Sequence, residues 1–165
     1  MIYAVVTVSA IFFLWWLAGS LFNRRRSADL VKAVREALPA LGEGAGIRWF
    51  GSGAFQIDLS KPAAEFTRVQ VVGLLEPRDI PLVWLYWRLR GRRDRLVVQA
   101  DFRRPPRAGV SPATVPPWLA ELTLQRSSPH LHLTAQVPPG GEAAIDEAFR
   151  LADELAEGRK MAPES

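Results

Sequence analysis

Two groups of side chains in this 165-residue sequence have the types and spacing for chemistry. The first is aromatic and basic: Trp84, Tyr86 and Trp87 run into Arg88, Arg90, Arg92, Arg93 and Arg95. Indole and phenol rings beside guanidinium groups suit the headgroup layer of a bilayer, where rings anchor and cations meet anionic lipid. Each arginine near an anionic leaflet contributes about 1 kcal/mol. The second group is His130-Leu131-His132, which puts two imidazoles on one face of a strand. Such a pair can ligate a metal or move a proton. A metal needs further ligands, yet the sequence has no cysteine and no third histidine, and no carboxylate follows closely. No metal and no cofactor are therefore assigned.

Other patterns carry less. Gly42-Glu43-Gly44-Ala45-Gly46 has the glycines of a phosphate-cradling loop, but it follows a helical pattern and opens a strand, with no Lys-Ser/Thr after it. It reads as a helix stop with a flexible connection. There is no Gly-x-Ser-x-Gly elbow and no spaced carboxylate pair in a motif. Asp58, Asp101 and Glu121 fall at the polar positions of alternating strands, where exposed charge is expected. No catalytic residues are assigned on this basis.

The element that must position all of this is the beginning of the chain. Residues 2–22 carry no charged side chain and stop at Asn23-Arg24-Arg25-Arg26. A helix of that length spans roughly 30 Å, the thickness of a bilayer's hydrocarbon core. Tyr3 lies near one end, Trp15, Trp16 and Phe22 towards the other. The spacing predicts one transmembrane helix. Arg24, Arg25 and Arg26 flank it on the C-terminal side and no basic side chain precedes it, which predicts an outside N-terminus and a cytoplasmic domain at the cell membrane. Ala18-Gly19-Ser20 would serve as a signal-peptidase site, but a signal peptide wants its positive charge before the apolar run, so cleavage is disfavoured.

Residues 23–28 read as a basic juxtamembrane linker and 29–157 as one soluble domain, with the tail 158–165 expected to fray. Ser27 is placed as the N-cap of a short helix with Leu30, Val31, Val34 and Leu38 on one face. Period-two alternation then predicts strands around 47–50, 54–59, 66–75, 96–102, 118–125 and 131–137. Gly73 suggests a bulge. Residues 80–89 are nearly all apolar, and their spacing leaves helix and strand open. Residues 104–117 hold five prolines and read as a stiff connector, with docking as a polyproline helix the other reading. Residues 141–157 make an amphipathic helix. Strands between flanking helices, rather than alternating with them, predict an α+β domain: a mostly antiparallel five- to six-stranded sheet with helices on one face.

These observations point to a non-catalytic, single-pass membrane protein, an adaptor or accessory subunit of a membrane assembly. Its partners would be the bilayer itself, anionic lipid at residues 80–95, and a protein. The bland reading of 80–95 is a core element ending in a solvated basic turn; the grouping of three aromatics with five arginines favours the membrane. The alternative function is an enzyme on an anionic or lipid-linked substrate, with the arginines as clamp and His130 or His132 as acid/base. Nucleic-acid binding is disfavoured: no recognised binding motif accompanies the arginines, and eighteen arginines against three lysines, in a sequence rich in Ala, Gly and Pro, can reflect codon usage.

Overall fold

A computed structural model describes residues 2–104 and 115–157. Helix α1 runs unbroken over Ile2–Ala37 and closes in a 3₁₀ turn, Leu38–Ala40. Six strands follow: β1 (Gly42–Phe50), β2 (Ala54–Pro62), β3 (Phe66–Leu74), β4 (Arg95–Phe102), β5 (Leu119–Leu124) and β6 (Leu131–Gln136). Helix α2 (Pro81–Leu89) stands between β3 and β4, and α3 (Ala143–Ala156) follows β6. The strands form one sheet in the order β1-β2-β3-β4-β6-β5, every pair antiparallel. This is the expected α+β class.

The strand alternation sets the core. Phe55 and Ile57 of β2, Val69 and Val71 of β3, Leu96 and Val98 of β4, and Leu131 and Leu133 of β6 are buried on one face. That face is covered by Leu30, Val34 and Leu38 from the chain's first helical segment and by Ile145, Phe149 and Ala152 of α3. On β5 the register shifts between Leu119 and Glu121, so Leu119, not Ala120, joins Leu122 and Leu124 against the core.

Three local expectations are corrected. Ser27 caps nothing: it lies inside α1, and its hydroxyl donates to the Ser52 carbonyl at 3.3 Å. A helix already nucleated by the apolar run extends at little cost, and residues 23–28 hold no breaker, so the basic segment is helical. The glycine run is not a loose connection but the first half of β1, with Gly42 opposite Pro62 and Gly46 opposite Asp58. Backbone pairing needs no side chains, and a Cβ on Gly42 would lie 2.4 Å from the Lys61 carbonyl oxygen. Gly73 marks no bulge: it pairs in register with Phe55 and Leu96, while the irregularity falls between Phe66 and Arg68. Its missing side chain makes room for Phe55, whose ring a Cβ would approach to 2.2 Å. Most of the proline segment 104–117 and the tail 158–165 lie outside the described residues.

Candidate membrane-interface site

Among the described residues α1 is the one helix long and apolar enough to cross a membrane, and its side chains from Ile2 to Leu17 are exposed. The domain closes on it from residue 15 onward. The Trp15 indole donates to the Arg78 carbonyl at 3.0 Å, and its ring lies 6.0 Å from that of Trp84. Gly19 receives the backbone of Arg78 and Asp79 directly, since a Cβ there would stand 2.3 Å from the Arg78 oxygen. From Trp15 to Arg26 these contacts cover about 16 Å of helix. Loop and helix are packed over three turns, so the domain is seated against the flank of α1.

Below them sits a buried polar cluster. Asp94, at the start of β4, accepts both Arg78 guanidinium nitrogens at 3.0 and 3.1 Å, the Glu76 N–H at 2.9 Å and the Arg26 Nε–H at 3.4 Å. Arg26 also donates to the carbonyls of Val137 and Pro138 and to the Glu142 carboxylate. Asn23 bridges the set, donating to the Glu76 carbonyl and accepting from Arg78, each at 3.0 Å. Glu76, itself buried, accepts from the Trp84 indole at 2.9 Å and from Arg88 at 3.3 Å. Three arginines (26, 78, 88) thus meet three acids (76, 94, 142), and Asn23 and backbone groups add further hydrogen bonds at Arg26, Arg78 and Asp94. A buried charge is tolerated only when paired and bonded in this way. The Arg26 guanidinium beside Glu142 holds that carboxyl below its usual range.

The arginines named from the sequence therefore divide. Arg24 and Arg25 are exposed on α1, whereas Arg26 is buried in the cluster. Arg88 is tied to Glu76. Arg90 stacks over Tyr86 at 4.7 Å and Arg92 over Trp87 at 4.6 Å, and among the described residues neither forms an ion pair. Arg93 donates to the Arg92 carbonyl. Arg95 stands apart from α2, on β4 between Leu74 and Gln136. Of the rings, Trp84 and Trp87 are half-buried and Tyr86 is exposed.

No side chain of α2 is fully buried. Leu82, Leu85, Tyr86 and Leu89 recur at i, i+3, i+4 and i+7, one face of the helix, and are 72, 48, 48 and 79 % exposed. The sequence placed large apolar residues here without resolving helix from strand. It gave no sign of Glu76, Arg78 or Asp94, which are brought in by the β3–α2 and α2–β4 connections. The one hint for Asn23 and Arg26 is that they continue the Leu30 stripe at helical spacing.

The histidines lie elsewhere, on the far half of the sheet. His130 accepts the Phe102 N–H on Nδ1 at 3.0 Å, its ring stacked on Phe102. The Nδ1 of His132 is 3.4 Å from Gln99 Nε2. His132 belongs to a row that crosses the open face of the sheet, Asp58, Gln70, Gln99, His132 and Thr123 on successive strands. Asp58 accepts from Gln56 and Gln70 in that row.

No family model, curated protein or solved structure matches the chain.

Proposed function

We propose that this is a single-pass membrane protein whose α+β domain lies on the cytoplasmic surface of the bilayer, with α2 as a second, interfacial contact. The observation that carries the reading is the exposed apolar face of α2, set beside the exposed apolar stretch of α1. Moving a leucine side chain from water into hydrocarbon contributes at most about 1.5–3 kcal/mol. Leu82, Leu85 and Leu89 together thus outweigh Arg90 and Arg92 at about 1 kcal/mol each. Insertion of α2 is therefore mainly apolar, with the two stacked arginines adding a preference for anionic headgroups.

The contacts of Trp15 and Gly19 with residues 78–84 favour an anchor that stays with the domain rather than a cleaved leader. The exposed arginines 24 and 25 after the apolar run favour a cytoplasmic domain. Seated in this way, the domain turns the open face of its sheet away from its helices, and that face is the surface we assign to a protein partner. The role is that of an adaptor or accessory subunit. The enzyme reading finds less support, because the His130 Nδ1 is engaged by a backbone N–H and the arginines nearest the membrane helix are matched by acids.

The sequence has no cysteine, so single labels are unambiguous. An environment-sensitive fluorophore on Cys introduced at Leu89, in the full chain reconstituted into liposomes, should report an apolar setting and be quenched by nitroxide lipids. The same label at Glu36, exposed on the distal part of α1, should report water. A Leu89 label as wet as the Glu36 label would overturn the interfacial reading.

A further inference from the structure

Between α1 and α2 lies a cleft of about 420 Å³. Trp15, Ala18, Gly19, Phe22 and Trp84 line it, with two guanidinium groups: Arg78, over the Phe22 ring at 5.0 Å and bonded to Asp94, and Arg88. Its lining is predominantly apolar, and it opens on the stretch of α1 where the membrane helix meets the domain. Arg88 is held there by Glu76, with its side chain 43 % exposed. A guanidinium has five N–H donors, and the bond to Glu76 uses one. The remainder form a fixed, positively charged fork at the mouth of an apolar slot, suited to a phosphate oxyanion.

We propose that this cleft binds one phospholipid of the surrounding bilayer, its acyl chain against Trp15, Phe22 and Trp84 and its phosphate on Arg88. The proposal rests on the chain being a membrane protein as read above, but not on α2 inserting. Bulk attraction to anionic lipid belongs to Arg90 and Arg92, which stack on Tyr86 and Trp87 and do not line the cleft. The ligand chemistry needed is a phosphate diester carrying an apolar chain; the phosphate alone would leave the slot unfilled.

The test is native mass spectrometry of the full chain purified in a neutral detergent, titrated with phosphatidylglycerol, with an uncharged glycolipid of equal chain length, and with inorganic phosphate. One phosphatidylglycerol per chain is expected, with neither the glycolipid nor phosphate replacing it. Ala18→Phe places a ring in the cleft without removing any charge and should abolish retention. Arg88→Gln should weaken it about tenfold, the loss of a charged hydrogen bond, with Arg88→Lys recovering part. Arg90→Gln with Arg92→Gln should leave it unchanged. Arg88→Gln frees the buried Glu76, so the folded Ala18→Phe chain, checked by its unfolding temperature, is the deciding variant. Retention by Ala18→Phe equal to the parent, equal retention of the glycolipid, or no bound lipid in the parent would each overturn the site. A dry Leu89 label with no bound lipid would remove the cleft and keep α2 in the membrane; a wet label with bound lipid would do the reverse.

Discussion

Arg26 and Asp94 stand 68 residues apart in the chain and meet with Nε 3.4 Å from Oδ2, both side chains buried. The same carboxylate grips Arg78 with both oxygens and takes the Glu76 N–H. One acid therefore ties α1, the β3–α2 connection and β4 together. Removing one member of a buried pair leaves the others uncompensated. Asp94→Ala should lower the unfolding free energy by about 3–5 kcal/mol, and Asp94→Asn by less, since one oxygen still accepts. Denaturant unfolding of the full chain in detergent measures both; a change within error for Asp94→Ala would contradict the role given to this cluster.

The Glu142 end of the cluster makes a pH prediction. Its carboxyl sits below the usual 4.5 because the Arg26 guanidinium donates to it. A depressed acid stabilises the fold above its unfolded-state pKa, and that contribution is lost as pH falls through the lower folded-state value. The side chain is 36 % exposed, so the pair contributes about 1 kcal/mol or less. Parent and Glu142→Gln should therefore differ in stability at neutral pH and converge as pH drops below about 4.5. A gap that persists unchanged into acid would rule the pair out as its source.

Gly73 and Phe55 test packing on the sheet. A methyl at 73 falls 2.2 Å from the Phe55 ring, which is fully buried. Gly73→Ala should cost about 1–3 kcal/mol as overpacking. Adding Phe55→Leu, itself destabilising, should make the double variant less impaired than the sum of the singles. Additive losses in thermal unfolding would show that the two positions are not in conflict.

Gly19 tests whether helix and domain are clamped. Gly19→Val puts carbon into the backbone of Arg78 and Asp79 and forces the loop off α1. Hydrogen exchange should show residues 77–84 losing protection by about 1–3 kcal/mol, with β4 and β6 amides unaffected. Unaltered exchange at 77–84 would mean that the loop does not depend on this contact.

Much of the architecture was legible because it is written locally. An uncharged run of 21 residues declares a membrane-spanning length, and strict alternation over 96–102 and 131–137 assigns each side chain to a face before any partner is known. The glycines were misread for the same reason: local rules price a glycine as a breaker or a bulge. Gly42 and Gly73 are instead required by a carbonyl and a ring that arrive from 19 and 18 residues away.

By itself, then, the sequence determined a helix of membrane-spanning length, the α+β class and the faces of the central strands, since these follow from the length of an apolar run and from periods of two or 3.6 residues. It also placed aromatic and basic groups at 84–95. Only the tertiary structure decided which arginines are free. Arg78 and Arg88 look no different in sequence from Arg90 and Arg92, yet the first two, like Arg26, are matched by buried or half-buried acids, and the last two are stacked on rings. Charge pairing depends on distances of a few ångströms between groups up to 116 residues apart, and no periodicity along the chain encodes those distances.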